Sequence, residues 1–137
     1  MTGIATLPDR VRLDGESLTV EDVVAVARED APVEIADAAR EAVRTSRGRV
    51  EDVLDSDEAV YGITTGFGEL VDERIPRSAV DELQANLVRS HAAGTGRDLE
   101  REAVRAMMLT RINALAKGYS GVRETVLDHL EIRRAHV

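Results

Sequence analysis

The chain has 137 residues, a net charge of −8, no cysteine, and 43% hydrophobic but only 2% aromatic residues. This composition predicts one folded domain, or part of a larger one, with an aliphatic core; it excludes disulfides and thiolate chemistry, and the negative charge argues against nucleic-acid binding. The three histidines lack the spacing of a metal site, so we expect no bound metal. The sequence shows neither a signal peptide nor the ~20-residue apolar run of a membrane span. We therefore expect a cytoplasmic protein without a membrane partner.

The first predicted elements are a short strand and a helix. Val11–Leu13 places one charged residue between two apolar ones and is followed by Asp-Gly (14–15), which predicts a strand and a turn. Thr19, followed three residues later by Asp22, resembles an N-terminal capping pair. It predicts a helix that extends to about Arg28.

A second helix is predicted to begin near Val33, directly after Pro32. Apolar residues recur there at helical spacing, and they are Ile35, Ala38, Ala39, Ala42 and Val43. Gly48 is expected to interrupt this helix before its apolar stripe is complete, and a glycine-rich loop follows.

Two further helices are predicted downstream of that loop. Ser78 and Asp81 form another possible capping pair, at the start of a helix that ends before Gly94. Asp98 is expected to cap a longer helix that ends at Lys-Gly (117–118). The expected apolar faces are Val80, Leu83 and Leu87 in the first helix, and Leu99, Val104, Met107, Met108, Ile112 and Leu115 in the second.

The last helix is predicted to start at Ser120 and to run into the charged C-terminal residues. The sequence contains no internal repeat and no low-complexity linker. These elements together predict a mainly α fold with one short β element near its start.

The glycine-rich loop, Ala-Val-Tyr-Gly-Ile-Thr-Thr-Gly-Phe-Gly-Glu-Leu (59–70), carries one of two tyrosines and the only phenylalanine of the chain. A phenol has an ordinary pKa of about 10 and becomes a useful base only when N–H groups or cations stabilise its phenolate. Gly62, Gly66 and Gly68 allow the backbone to approach a ligand closely and to adopt positive φ angles. Tyr61 is therefore a candidate catalytic base; the alternative is an ordinary turn with Tyr61 packed against a helix.

His91 is the second candidate, in the stretch Leu-Gln-Ala-Asn-Leu-Val-Arg-Ser-His-Ala-Ala-Gly (83–94). Small residues follow it, so its side chain could point into a pocket; alternatively it is a surface histidine favoured by the helix dipole. A third stretch, Lys-Gly-Tyr-Ser-Gly-Val-Arg (117–123), is by itself a helix end followed by a helix start.

These three stretches, taken together and in this order, resemble the aromatic amino acid ammonia-lyases, and the histidine ammonia-lyases most closely. The resemblance covers roughly residues 11–122, most of the chain. It implies the helical fold of that family, of which residues 1–137 would be an N-terminal segment.

The resemblance also implies roles for the matching positions. Tyr61 matches the loop tyrosine that removes the β-proton of the substrate, and Gly62 and Gly68 match glycines that shape this mobile loop. His91 matches a pocket position that helps to select the substrate side chain, and a histidine there is similar to the histidine-specific enzymes. The implied reaction is the non-oxidative deamination of L-histidine to urocanate and ammonia.

The family needs an electrophile, a methylidene-imidazolone made from an internal Ala-Ser-Gly, and here the sequence departs from the pattern. The 137 residues contain no Ala-Ser-Gly, and Tyr-Ser-Gly (119–121) matches a segment that precedes the triad in the family. We therefore expect a lyase segment that is truncated before the triad and is inactive alone. Its implied partners are an amino acid substrate, the remaining lyase chain and further copies in a homotetramer.

Two other interpretations stay open at this point. The chain would be a non-catalytic helical remnant or a partner-binding module if no cofactor-bearing segment accompanies it. It would belong to a tyrosine or phenylalanine ammonia-lyase, or to an aminomutase, if the residue at position 91 does not decide the substrate.

Overall fold

A computed structural model describes residues 6–56, 58–66 and 75–136, apart from the side chains of residues 77 and 132–136. The chain divides into two compact units, the core unit (residues 1–47 and 98–137) and the loop unit (residues 48–97). The described elements are strands β1 (Val11–Leu13) and β2 (Val33–Ile35) and helices α1 (Val20–Glu29), α2 (Asp37–Asp55), α3 (Arg77–His91), α4 (Arg101–Ala116) and α5 (Glu124–His136). This mainly α architecture, with a short β element near the start, confirms the predicted fold class.

The two strands form a small parallel sheet. Val11 pairs with Val33 and Leu13 with Ile35, and in each strand the charged middle residue is exposed. The prediction of a helix from Val33 was wrong, because Val-Glu-Ile alternates with the period of two that suits a half-buried strand. Helix α2 begins only at Asp37.

Helix α1 begins as the sequence predicts. The N–H of Asp22 donates to Oγ1 of Thr19 at 3.2 Å, and the N–H of Thr19 donates to Oδ2 of Asp22 at 2.8 Å. These two bonds complete a capping box, which satisfies N–H groups that the first helical turn leaves without partners.

Helix α2 is one continuous helix of 19 residues, so the predicted interruption at Gly48 was wrong. A single glycine costs a helix only about 1 kcal/mol relative to alanine, which flanking helical turns can offset.

In the core unit, Arg40 and Arg44 of α2 bind Glu124 of α5 at 3.1 and 2.9 Å, and Arg40 also binds Asp128 at 2.7 Å. Hydrogen bonds from Arg44, and secondarily from Arg40, hold the pKa of the Glu124 carboxyl below its ordinary value.

The starts of the last three helices differ from the prediction. Helix α3 begins one residue before the predicted cap at Ser78, α4 begins three residues after Asp98, and α5 begins four residues after Ser120. The N-cap positions of α3 and α4 are Pro76 and Glu100, and neither makes a side-chain capping bond. In each case the residue predicted as the N-cap lies within four residues of the first helical residue but is not the N-cap of the helix.

Helix α4 ends where the sequence predicts, with Lys117 at its C-cap and Gly118 in a left-handed conformation with φ of 74°. This glycine lies against α2: a Cβ atom at position 118 would approach backbone and side-chain atoms of Ala42 to 2.6–2.8 Å. Next to it, the N–H of Gly121 donates to Oγ of Ser46 at 3.0 Å. The loop between α4 and α5 is therefore bound to α2.

The core unit has an aliphatic interior built from both strands and from α1, α2, α4 and α5. Helix α4 contributes Leu109, Ile112 and Leu115, and the side chain of Arg105 is buried on the same face. The predicted stripe of α4 was wrong in part, since Leu99 and Met107 are exposed. The cluster of buried apolar residues that forms this core contains Val11, Leu13, Ala25, Val26, Ala31, Val33, Ile35, Ala36, Ala39, Val43, Leu109, Ile112, Leu115, Ala116 and Leu127.

Candidate active-site loop

The stretch that carries Tyr61 forms a tight turn after α2. The N–H groups of Ile63 and Thr64 both donate to the carbonyl oxygen of Val60, at 3.1 and 3.0 Å. Gly62 lies inside this turn with φ of 70°, a left-handed conformation that glycine adopts readily and other residues rarely adopt. The turn therefore favours glycine at position 62.

Thr64 closes this turn through its side chain, a contact that the sequence analysis missed. Its hydroxyl accepts a hydrogen bond from the N–H of Val60 and donates one to the carbonyl oxygen of Glu58, both at 2.8 Å. The residue is only 6% exposed, and its own carbonyl oxygen accepts a bond from the N–H of Ile75 at 2.9 Å. A threonine in a glycine-rich turn was the available signal, because such hydroxyls often bind nearby backbone groups.

Two of the three predicted loop glycines have a described position. Gly66 is buried, and its carbonyl oxygen accepts a bond from the hydroxyl of Thr65 at 3.2 Å. Gly68 lies outside the described residues, as does Phe67. The loop-shaping role assigned to Gly62, Gly66 and Gly68 stays a prediction.

Tyr61 directly precedes Gly62, and 60% of its surface is exposed. The role of Tyr61 as a catalytic base stays a prediction. A phenol on the outside of a glycine-containing turn can meet a small molecule that approaches the loop, which is the first geometric requirement for proton transfer.

His91 is the last residue of α3, and its side chain is exposed. Its Nδ1 atom lies 2.9 Å from the carbonyl oxygen of Leu87 and 3.0 Å from Oγ of Ser90. A carbonyl oxygen can only accept, and the hydroxyl of Ser90 already donates to the same oxygen of Leu87 at 2.8 Å. The contact with Leu87 therefore requires a hydrogen on Nδ1, so that Nε2 is the acceptor nitrogen whenever the ring is neutral.

The structure places these two candidates on different elements of the loop unit. Tyr61 lies in the turn after α2, whereas His91 ends α3. Within the described ranges, no group of three or more potential ligand side chains could hold a metal ion. None of the described helices is long and apolar enough to cross a membrane.

The sequence model of the aromatic amino acid lyases matches residues 18–133, nearly the whole chain. The chain belongs to this family. The chain is 65% identical over 120 residues to a probable histidine ammonia-lyase of Halobacterium salinarum, covering 88% of the chain and 23% of that relative. It is 57% identical over 124 residues to a histidine ammonia-lyase of Gloeobacter violaceus, covering 90% of the chain and 24% of the relative. These matches confirm the resemblance to the family, and both relatives are named as ammonia-lyases, although the chain spans only about a quarter of these relatives' length.

Solved structures of related lyases and aminomutases share the fold. A tyrosine aminomutase from Streptomyces globisporus superposes with a TM-score of 0.85 at 40% identity, over 91% of the lyase chain and 24% of that structure. A histidine ammonia-lyase from Trypanosoma cruzi superposes with a TM-score of 0.82 at 37% identity, over the same shares of 91% and 24%. Enzymes that are named for different substrates, tyrosine and histidine, therefore share this fold.

The residues present in the lyase chain do not fit the self-derived methylidene-imidazolone of the family. The chain has no Ala-Ser-Gly. The last residue of the similar Tyr-Ser-Gly (119–121) is hydrogen-bonded to α2 through its backbone. The N–H of Gly121 is bound to Ser46 at 3.0 Å, and the carbonyl oxygen of Gly121 accepts a bond from Arg47 at 3.4 Å. The last residue of this tripeptide therefore binds the α4–α5 loop to α2.

Proposed function

We propose that the lyase chain carries the base loop and part of the substrate pocket of a histidine ammonia-lyase, which converts L-histidine to urocanate and ammonia. The observation that supports this most is the exposed Tyr61 on a turn closed by hydrogen bonds. It occurs in a chain that is 65% and 57% identical to relatives named for histidine deamination.

In this proposal Tyr61 is the base that removes a proton from the β-carbon of the substrate. The electrons of the broken C–H bond form the new double bond, and ammonia leaves from the α-carbon. In the family the methylidene-imidazolone is the electrophile. The rest of the enzyme, outside these 137 residues, would have to supply this group. Gly62, Gly66 and Gly68 would shape the loop that carries the base.

His91 would recognise the substrate side chain. As the ring nitrogen bound to Leu87 carries the hydrogen, Nε2 of a neutral ring would accept a hydrogen bond from an imidazole N–H. Phenylalanine has no such donor, so this geometry favours histidine over phenylalanine. Tyrosine has a donating hydroxyl, and the match to a tyrosine aminomutase at 40% identity therefore makes tyrosine the second candidate substrate.

The enzyme would be completed by partners. The chain spans about a quarter of the length of its relatives, and we propose that the remaining lyase sequence and further copies, as in the family's homotetramers, complete the site. Helix α3 is suited to further packing: of its described side chains, only Ala79, Val80, Leu83 and Leu87 are half-buried, and the others are exposed.

A chimera tests this function directly. Residues 18–133 would replace the matching segment of the Halobacterium salinarum relative, and urocanate would be followed by its ultraviolet absorbance. We expect the chimera to deaminate histidine and Tyr61→Phe to lower kcat by at least about 100-fold with little change in KM, because general bases contribute about 10²–10⁴-fold. Tyr119→Phe is the matched control, since Tyr119 is the other tyrosine of the chain and is exposed in the core unit.

Two results would contradict the proposal. Wild-type turnover by Tyr61→Phe would show that Tyr61 is not the base. A folded chimera that forms no urocanate would favour the non-catalytic remnant, and one that prefers tyrosine would favour the second candidate.

A further inference from the structure

The turn that carries Tyr61 depends on one buried hydroxyl. A threonine side chain has a single hydrogen to donate, and Thr64 uses it on the carbonyl oxygen of Glu58 while it accepts from the N–H of Val60, both at 2.8 Å. The two bonds connect backbone groups on the N-terminal side of Tyr61 through a residue on its C-terminal side.

Backbone bonds reinforce the same residue. The N–H of Thr64 donates to the carbonyl oxygen of Val60 at 3.0 Å, and its carbonyl oxygen accepts from Ile75 at 2.9 Å. Thr64 thus makes reciprocal contacts with Val60, the residue directly before Tyr61. Because the side chain is almost fully buried, water cannot easily replace these bonds.

We propose that Thr64 is a positioning residue for Tyr61, an inference that rests on the proposed role of Tyr61 as the base. The hydroxyl of Thr64 fixes the backbone of Val60 and so limits the directions in which the adjacent phenol can point. Proton transfer requires the base within hydrogen-bond reach of the proton, and a misplacement of about 1 Å can lower the rate by about 100-fold.

The neighbouring Thr65 provides a comparison within the same turn. It is also buried, and its hydroxyl donates to the carbonyl oxygen of the next residue, Gly66, at 3.2 Å. Replacing Thr65 by valine removes a buried hydroxyl of the same kind without cutting the link to Val60. A general loss of packing or polarity would affect both variants alike, whereas a positioning role predicts a larger effect at Thr64.

The experiment uses the Halobacterium salinarum chimera and its variants Thr64→Val, Thr64→Ser and Thr65→Val. We expect Thr64→Val to lower kcat by about 10- to 100-fold with KM changed by less than threefold or so, and Thr64→Ser to recover most of the rate because it keeps the hydroxyl. Amide exchange of Val60 should accelerate in Thr64→Val and stay slow in Thr64→Ser, since only the valine variant removes the acceptor of that N–H.

Wild-type kcat in Thr64→Val, while Tyr61→Phe is inactive, would overturn this inference and leave the proposed function intact. Equal losses in Thr64→Ser and Thr64→Val, or in Thr65→Val and Thr64→Val, would also overturn it. Full activity of Tyr61→Phe would overturn both. If Thr64→Val does not fold, Thr64→Cys is compared with Thr64→Ser instead. These two side chains differ only in the sulfur or oxygen atom, and a thiol is a weak hydrogen-bonding group, so Thr64→Cys should be the slower variant.

Discussion

The guanidinium of Arg105, on α4, donates from Nε and Nη2 to the carbonyl oxygen of Val26 on α1, at 3.1 and 2.8 Å. Val26 lies in the last turn of α1, where carbonyl groups lack partners within the helix. The side chain of Arg105 is only 2% exposed, whereas its ion-pair partner Asp30 is 59% exposed. The buried part of this contact is therefore the arginine and the carbonyl that it caps.

Arg105→Met should destabilise the chain by about 1–3 kcal/mol, because it leaves the buried carbonyl of Val26 without a donor. Urea unfolding followed by circular dichroism would measure this. Arg28→Met is the matched control: Arg28 pairs with Glu102 at 2.8 Å, but both side chains are more than half exposed, and exposed pairs contribute about 0–1 kcal/mol. Equal effects of the two substitutions would show that capping of Val26 contributes nothing.

The same substitution at two glycines should have opposite effects. Gly118→Ala should destabilise the chain by more than about 1 kcal/mol, because φ is 74° and the new Cβ would lie within 2.8 Å of Ala42 atoms, two of them backbone. Gly48→Ala should stabilise it by about 1 kcal/mol, since Gly48 lies inside α2 and an added methyl group would meet no atom of another element within 4 Å. Thermal unfolding of both variants checks the signs, and a destabilised Gly48→Ala would contradict the continuous helix.

Local signals in the sequence predicted elements whose cause is local. The capping box of Thr19 and Asp22 and the glycine stop at Gly118 were both found, because each depends on residues within one helical turn. Val33 was assigned to a helix because the apolar residues that follow it recur at helical spacing, although Val-Glu-Ile also alternates with the period of a strand. Pairing with Val11, which is distant in sequence, decides between the two patterns.

The candidate site shows the same division. Motifs picked out Tyr61, Gly62 and His91, since each residue type has a recognisable chemical or conformational use. Thr64 was missed, because its function depends on where the hydroxyl points once the chain folds, and threonine is common in turns for several reasons. The hydrogen on Nδ1 of His91 likewise follows from a contact that exists only in the folded chain, with the carbonyl oxygen of Leu87.

Asp14 should titrate well below an ordinary aspartate. Its carboxylate accepts bonds from the N–H groups of Ser17 and Glu16 and from the hydroxyl of Ser17, all at 2.8 Å, and these lower its pKa from 3.8 to about 2. A lowered pKa in the folded state gives a stabilising contribution that is complete above pH 3.8 and is lost as the pH falls toward about 2.

NMR titration of the Asp14 carboxyl carbon would measure this pKa directly. The stability difference between the wild type and Asp14→Asn should be constant above the ordinary pKa and should shrink only on the acid side of it. A titration midpoint near 3.8 would contradict the hydrogen-bonded turn.

The last prediction concerns His91 in the chimeric enzyme. If Nε2 accepts a hydrogen bond from the substrate imidazole, His91→Leu should lower kcat/KM for histidine by about 10- to 100-fold, because a substrate N–H left without a partner in the completed site costs about 1–3 kcal/mol. His91→Gln should lose less than His91→Asn, since the glutamine side chain reaches the position of Nε2 and the asparagine side chain reaches only that of Nδ1. His129→Leu is the control, because His129 is also an exposed histidine but lies on α5 in the core unit. Steady-state kinetics with histidine, tyrosine and phenylalanine would distinguish these outcomes. Unchanged histidine kinetics in His91→Leu would show that His91 is a surface residue outside the pocket. Greater activity in His91→Asn than in His91→Gln would show that Nδ1, rather than Nε2, faces the substrate.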